Sequence, residues 1–356
     1  MGKYHVIGLM SGTSLDGVDV VEVEFFLNDK DRWEFKVLNC HLFPYNKMTY
    51  LELKEAYTYK TPEILELSSK LGKYYGEIVN DFIDQYSIDK NTIDFIASHG
   101  QTIFHQPDKG YTLQIGNGPE LAVTTNLPTV VDFRTKDVAL GGNGAPLIPV
   151  ADFLLFKQYA DTFLNLGGFS NFSFLKENQV YSYDICPVNI VINKIMQEQG
   201  KEYDNRGNFG KTGIINQELL QKLNRLNYYQ QSFPKSLGWE WVEEHILPLL
   251  SLEPNIQNQV RTLYEHFANQ IGKSLDDTHA KTTLVTGGGA KNNFLIERIQ
   301  SNTKSKIILP DSRIIDFKEA IGFAFLGLLR WRNETNVWAS VTGARRDSCS
   351  GNIVIP

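Results

Sequence analysis

Twice in this chain a short apolar run breaks at a turn of glycine and hydroxyl residues and resumes as a second apolar run. The first instance is Tyr4 to Met10, then Ser11-Gly12-Thr13-Ser14-Leu15-Asp16-Gly17, then Val18 to Phe26. The second is Asp161 to Leu166, Gly167-Gly168-Phe169-Ser170-Asn171, and Phe172 to Leu175. In the Val18–Phe26 run Val18, Val20, Val21, Val23 and Phe25 partly alternate with Asp19, Glu22 and Glu24, which is strand patterning. Each instance therefore reads as strand, turn and antiparallel strand, at the start of each half. A two-fold architectural repeat with a site between the halves explains both. At 356 residues the chain exceeds one hydrophobic core, so two domains are expected.

The turns also suggest chemistry. Glycine lets backbone N–H groups approach and point at an anion, and the hydroxyls of Thr13 and Ser14 add donors. A phosphate held there would attract a divalent cation, which Asp16 or Asp19 could hold directly or through water. One such turn alone is most often an ordinary hairpin. A third arises between the strand Thr282–Val285 and the helix Phe294–Gln300, in Thr286-Gly287-Gly288-Gly289-Ala290. Neither G-x-x-x-x-G-K-[ST] nor G-x-G-x-x-G occurs. Three glycine turns converging on one cleft could nevertheless hold a nucleoside triphosphate. Phosphoryl transfer needs mostly positioning, a divalent cation and a base.

Other segments supply candidate contacts. Thr49 to Tyr86 has helical spacing. The strand Ile93–Ala97 ends in Ser98-His99-Gly100-Gln101-Thr102, polar residues where α/β folds place ligand contacts. Thr112–Ile115 and Thr129–Phe133 read as strands, the latter leading through Asp132-Phe133-Arg134 to Asp137. Gly141-Gly142-Asn143-Gly144 reads as a mobile loop or linker, the expected domain boundary and hinge. Tyr181–Ile185 is a strand with Asp184 at its end, either a general base or an N-cap for the helix Ile190–Gln199. Gln257–Lys273 is an amphipathic helix. Lys318–Trp331 is a buried one with Glu319 near its start.

A net charge of −6 leaves no basic excess for nucleic acid or an anionic membrane surface. Cys40, Cys186 and Cys349 are scattered and lack metal-ligand spacing, which fits a reducing compartment. The opening apolar run is too short for a signal peptide and no stretch reaches bilayer length, so a cytoplasmic protein is expected.

From end to end the chain resembles the anhydro-N-acetylmuramic acid kinases. The resemblance rests on Met10 to Asp19, Ser98-His99-Gly100-Gln101-Thr102, Gln114-Ile115-Gly116, Asp132-Phe133-Arg134 with Asp137, and Gly144-Ala145-Pro146-Leu147. It continues through Asn165 to Asn171, Pro234-Lys235-Ser236, Thr286 to Ala290, Lys318-Glu319-Ala320 and Thr342-Gly343-Ala344. It implies an α/β, two-domain actin-like ATPase fold (a duplicated ribonuclease-H-like kinase fold) with an interdomain active-site cleft. The domains expected are 1–133 plus 336–356, and 134–335. ATP and Mg²⁺ are the implied cofactors and a homodimer the implied assembly, with no nucleic-acid or membrane partner.

ATP would lie on Gly12, Thr13, Ser14, Leu15, Asp16, Gly17, Val18 and Asp19, on Gly167, Gly168, Ser170 and Asn171, and on Gly287, Gly288 and Gly289. Asp16 and Asp19 would hold the metal. Ser98, His99, Gln101, Thr102, Arg134, Asp137 and Glu319 would line the sugar site. The implied reaction opens 1,6-anhydro-N-acetylmuramic acid hydrolytically and phosphorylates it, giving N-acetylmuramic acid 6-phosphate and ADP. Asp184 matches the aspartate that activates water for attack on the anomeric carbon, an inverting arrangement.

One segment departs from the family. Asp184-Ile185-Cys186-Pro187-Val188-Asn189 stands where the family usually has Asp-Thr-Gly-Pro-Gly-Asn. Side chains in place of both glycines are expected to narrow or reshape the pocket beside the base. The rival readings are a kinase for another anhydro-sugar, such as levoglucosan, and a sugar- or nucleotide-sensing protein without turnover.

Overall fold

The computed structural model describes residues 2–12, 14–116 and 118–356, which divide into two units. Unit 1 is Met1–Leu155 with Phe317–Pro356, and unit 2 is Phe156–Asp316. The divisions therefore fall beyond the expected 133/134 on one side and before the expected 335/336 on the other. The glycine run at 141–144 is not the boundary. It lies inside unit 1, where the Gly142 and Gly144 N–H groups donate to the Asp137 carbonyl and carboxylate.

In chain order, unit 1 opens with β1 (Lys3–Met10), β2 (Gly17–Leu27), β3 (Trp33–Pro44), α1 (Lys47–Glu55) and α2 (Thr61–Gln85). It continues with β4 (Phe95–Ser98), β5 (Gln101–Gln106), β6 (Tyr111–Ile115), α3 (Gly118–Thr125), β7 (Thr129–Val131) and α4 (Thr135–Ala139). Unit 2 holds β8 (Thr162–Leu166), β9 (Phe169–Lys176), β10 (Gln179–Pro187), α5 (Asn189–Glu198), α6 (Ile256–Asp277), β11 (Thr282–Thr286), α7 (Asn293–Ser301) and β12 (Lys306–Ile308). The helix α8 (Ser312–Trp331) returns the chain to unit 1, which ends with β13 (Asn352–Val354).

The sheet orders are β13-β7-β4-β1-β2-β3 and β10-β9-β8-β11-β12. In each, three strands form an antiparallel meander whose first member pairs in parallel with the next strand of the sheet. Each unit thus repeats the ribonuclease-H-like order that, duplicated, makes the actin-like fold. The repeat read from the two glycine turns is this meander, with β1–β2 and β8–β9 as the matching hairpins.

Burial explains why β1 reads as an unbroken apolar run. Ile7 and Leu9 pack in one cluster with Leu67, Leu71, Tyr75 and Phe82 of α2. On the opposite face Gly8 lies against α8, where a Cβ would meet the Ala320 carbonyl and Ala324 Cβ. Phe325 of α8 packs on Phe25 and Trp33. Helices on both faces leave no room for alternation in a central strand.

Two expectations are corrected here. The helical span 49–86 is broken: α1 ends at Glu55, and α2 restarts at Thr61-Pro62, with Glu63 accepting from the Lys60 N–H. Proline in the first turn is a start signal, because its missing N–H is one the helix does not use. Secondly, Gln101 and Thr102 are not loop but the start of β5, which pairs with β6 across a bulge between Thr102 and Phe104. Among the described residues no helix is long and apolar enough to cross a membrane.

Candidate active site

In unit 1 the candidate residues gather because of topology. β1, β4 and β7 run in parallel as neighbours, so the segments leaving their carboxyl ends lie side by side. Those segments are the turn from Ser11, the loop from Ser98 and the stretch from Asp132, and this edge is where open α/β sheets bind ligands.

Hydrogen bonds fasten the first two together. Ser11 Oγ donates to the Gly100 carbonyl at 3.0 Å, and Gln101 Nε2 donates to the Gly12 carbonyl at 3.2 Å. The Tyr75 hydroxyl, fully buried on α2, lies 2.7 Å from Ser11 Oγ, and the Tyr45 hydroxyl lies 2.9 Å from that of Tyr75. Because Ser11 gives its only proton to Gly100, Tyr75 donates to Ser11 and Tyr45 to Tyr75. Sequence spacing placed Tyr75 only on the apolar face of a helix, and nothing in the sequence links it to Ser11.

His99 is buried, and its two nitrogens have fixed roles. Nε2 accepts from Arg134 Nε at 2.9 Å, so Nδ1 carries the proton and donates to the Gly100 carbonyl at 2.8 Å. Burial and the adjacent Arg134 charge lower its pKa to about 3, so the ring is neutral at ordinary pH. His99 is therefore a holder of Arg134 instead of a free ligand contact. Arg134 Nη1 donates to the Gly144 carbonyl at 2.6 Å, and its guanidinium rests over Phe323. Nη2 is left to address a ligand. Burial lowers the Arg134 pKa to about 10, with Glu319 and Asp137 opposing, and the group remains cationic at neutral pH.

Asp137, expected in the sugar site, has both oxygens occupied by protein. Oδ2 accepts from the Gly144 N–H and Oδ1 from Thr342 Oγ, each at 2.8 Å, and the side chain is fully buried. It shapes the 141–144 loop and, through Gly144, the seat of Arg134. Ser98 is buried with Oγ accepting from the Gly100 N–H, and Thr102 Oγ accepts from Gln114. Gln101 Oε1 is buried and lacks a partner among the described residues, an acceptor awaiting a donor. Glu319 is water-accessible yet crowded by protein. Desolvation raises its pKa, while Lys318 and Arg134 pull it down. Lys318 itself is paired with Asp152 at 2.8 Å.

The phosphate-loop candidates of unit 1 are more open. Thr13 lies outside the described residues. Ser14 and Asp16 are exposed and hydrogen-bonded to each other at 2.7 Å, Leu15 is half-buried, and Gly17, Val18 and Asp19 already belong to β2. A Cβ on Gly12 would meet nothing closer than Ser14 Oγ at 3.6 Å, so no protein neighbour requires glycine there. Among the described residues no group of three or more His, Cys, Asp and Glu could cage a metal ion. The donor set still fits Mg²⁺, which keeps several waters and takes one or two carboxylates plus substrate phosphates.

In unit 2 the parallel neighbours β8 and β11 bring two glycine turns together in the same way. Gly287 has φ +81° and lies against Asn165 and Leu166, and a Cβ on Gly289 would strike Leu166. Gly288 alone meets nothing within 4 Å, so packing does not account for it and a close-approaching ligand would. Gly167 and Gly168 accept through their carbonyls from the N–H groups of Val188, Asn189 and Ile190, which locks the second turn to the start of α5. Ser170 and Asn171 sit inside β9, beyond the turn proper. Ser170 is fully buried, and its Oγ donates to the Cys186 carbonyl at 2.9 Å, so that hydroxyl faces the protein and not a phosphate.

Asp184 is not at a strand end and caps no helix; β10 runs on to Pro187 through a bulge after Asp184, and Val188 precedes α5. The half-buried carboxylate accepts from the Leu237 N–H at 2.9 Å through Oδ2, and Oδ1 has no partner among the described residues. Burial raises its pKa, and the Leu237 bond partly offsets the rise. The Tyr228 hydroxyl donates to the Asp184 carbonyl at 2.5 Å, a contact sequence reasoning did not foresee. In the segment expected to narrow or reshape the pocket beside the base, Ile185, Cys186 and Val188 are all buried within the unit 2 core.

The family model described as "Anhydro-N-acetylmuramic acid kinase" matches residues 4–356. Proteins of that name from Mannheimia succiniciproducens and Aliivibrio fischeri are 34% and 35% identical, each over 99% of both chains. One from Sulfurimonas denitrificans is 32% identical over 99% of this chain and 100% of its own. Among solved structures, an activator of 2-hydroxyisocaproyl-CoA dehydratase from Clostridium difficile with bound ADPNP aligns at TM-score 0.45 and 11% identity, covering 91% of this chain and 94% of the other. A ROK family glucokinase from Streptomyces griseus aligns at TM-score 0.41 and 9% identity, covering 91% and 99%. Full-length matches at this level place the whole sequence, both units included, in one family: the chain belongs to the anhydro-N-acetylmuramic acid kinase family of ATP-dependent sugar kinases.

Proposed function

We infer that this chain phosphorylates 1,6-anhydro-N-acetylmuramic acid with ATP while water opens the anhydro ring, producing N-acetylmuramic acid 6-phosphate and ADP in the cytoplasmic recycling of cell-wall sugar. Asp184 takes a proton from the water that attacks the anomeric carbon. The bond from that carbon to the ring-bridging sixth oxygen breaks, and that oxygen receives the γ-phosphoryl group as the bond to ADP breaks. The proton leaves Asp184 for solvent, so one water, one sugar and one ATP are consumed.

The observation that carries this reading is the state of Asp184. One carboxylate oxygen is fixed by a backbone N–H, the other has no partner among the described residues, and burial raises its proton affinity, as suits a general base. The open positions at Gly12 and Gly288 support a nucleotide lying against these glycine turns. Arg134 Nη2, Glu319 and Gln101 Oε1 are the groups left to address the sugar. Mg²⁺, when bound, neutralises phosphate charge, and Asp16 and Asp19 are the carboxylates that would hold it. A homodimer is the assembly expected from the family.

The test is ADP release coupled to product analysis with this anhydro-sugar and with levoglucosan. Asp184→Asn is expected to lower kcat by at least about a hundredfold, the usual scale of a lost general base, while nucleotide binding persists. Full activity in that variant, or no ADP release with either sugar, would overturn the reading.

A further inference from the structure

Unit 1 carries a polar cavity of about 430 Å³ that none of the proposed catalytic or sugar-site residues lines. Its walls include Thr135, Lys136, Arg330, Asn333, Asn352 and Asp132. The volume is in the range of small-molecule sites. Lys136 Nζ donates to the Cys349 carbonyl at 2.7 Å, and Arg330 Nε donates to the Gly351 carbonyl at 2.8 Å. Each cation is thus oriented by one bond to the chain's closing segment. Among the described residues neither forms an ion pair, and the terminal nitrogens of Arg330 make no bond to protein. The one carboxylate present, Asp132, already accepts from the Asn352 amide and the Thr135 N–H. The remaining lining is the Thr135 hydroxyl, the Asn333 and Asn352 amides, and the small residues Ala139, Cys349 and Gly351.

Two oriented cations against one satisfied carboxylate favour an anion, because guanidinium and ammonium together match phosphate oxygens. The amides of Asn333 and Asn352 supply donors and acceptors suited to sugar hydroxyls. The wall is also the outward side of the segment that carries Arg134 and Asp137. Thr135 and Lys136 line the cavity, whereas Arg134 bonds His99 and Asp137 bonds Gly144. We propose that this cavity is a second binding site, distinct from the proposed catalytic one, that takes a phosphate monoester of monosaccharide size. The proposal does not rest on the assignment of the reaction.

Isothermal titration of the full chain with glucose 6-phosphate tests it, with glucose and gluconate in parallel. Saturable binding of glucose 6-phosphate is expected, weakened about tenfold or more by Lys136→Gln and by Arg330→Gln. Glu319→Gln, on the proposed sugar site, is expected to leave it unchanged. Should Arg330→Gln fail to fold, the exposed Lys136 variant decides alone. No binding at millimolar concentrations overturns the proposal, as does binding unaffected by Lys136→Gln. Loss in Glu319→Gln with retention in Lys136→Gln places the ligand in the sugar site and also overturns it. Gluconate binding as tightly as glucose 6-phosphate removes the phosphate assignment.

Discussion

Replacing Asp137 by alanine tests whether a buried carboxylate builds the Arg134 seat. The side chain accepts two bonds at 2.8 Å, from the Gly144 N–H and Thr342 Oγ, and both donors are themselves buried. Hydrogen bonds to a charged group contribute about 1.5–3 kcal/mol each, and the alanine variant leaves two donors unsatisfied. Relief of the buried charge offsets part of that loss, which leaves about 3 kcal/mol of destabilisation. In a unit of this size each kcal/mol moves the melting temperature by about 2–4 °C, so a fall of about 6–12 °C is expected by calorimetry. Asp137→Asn should cost about 1 kcal/mol, because its amide oxygen can still accept from Gly144 and its NH₂ can donate to the rotatable Thr342 hydroxyl. Arg134 Nη1 depends on the Gly144 carbonyl, so the alanine variant should also raise KM for the sugar more than it lowers kcat. Wild-type melting and wild-type KM in Asp137→Ala would refute the argument.

Other consequences can be measured on the same preparations. His99 and His266 are both held near a pKa of about 3 by burial, against 6.5 unfolded. Stability is therefore complete above about pH 6.5 and falls as pH drops below it, by about 1.4 kcal/mol per unit for each histidine. Melting temperatures at pH 7 and pH 5 should show this, with a shallower slope in His266→Gln. Tyr75→Phe removes the hydroxyl between Ser11 and Tyr45, and should cost about 1–2 kcal/mol in thermal unfolding. Val188→Gly restores the family residue but empties a fully buried core position, so a loss of about 2–3 kcal/mol is expected with no gain in kcat/KM. A gain in kcat/KM without a fall in melting temperature would show that Val188 limits the pocket.

The sequence announced what depends on local periodicity. β1, β2, β8 and β9 were readable because apolar runs and glycine turns are short-range signals, and the repeat of the meander followed from them. The start of β5 was hidden because its bulge breaks the two-residue alternation. Long-range partners were not legible at all. Asp137 needs Thr342, 205 positions away, and Ser11 needs Tyr75, 64 away. Before those pairings are known, a polar residue on a loop looks the same whether it faces a ligand or another loop. The burial of the side chains at Ile185–Val188 was hidden for a related reason. A strand that bulges after Asp184 sends the following side chains into the core, and sequence alone cannot register a bulge.

The neutral His99 clamp has a bearing on how the protein would respond to its surroundings. An imidazole that never protonates in the ordinary range cannot release or repel Arg134 as acidity changes, and Arg134 keeps its charge until about pH 10. Asp184, by contrast, becomes competent only once it has lost its proton, at a pH above that of an exposed aspartate. On the proposed assignment, the Arg134 contact to the sugar is deaf to acidification and turnover is not. Protonation of Asp184 would remove the base while leaving the Arg134 contact in place, so an acid limb should appear in kcat.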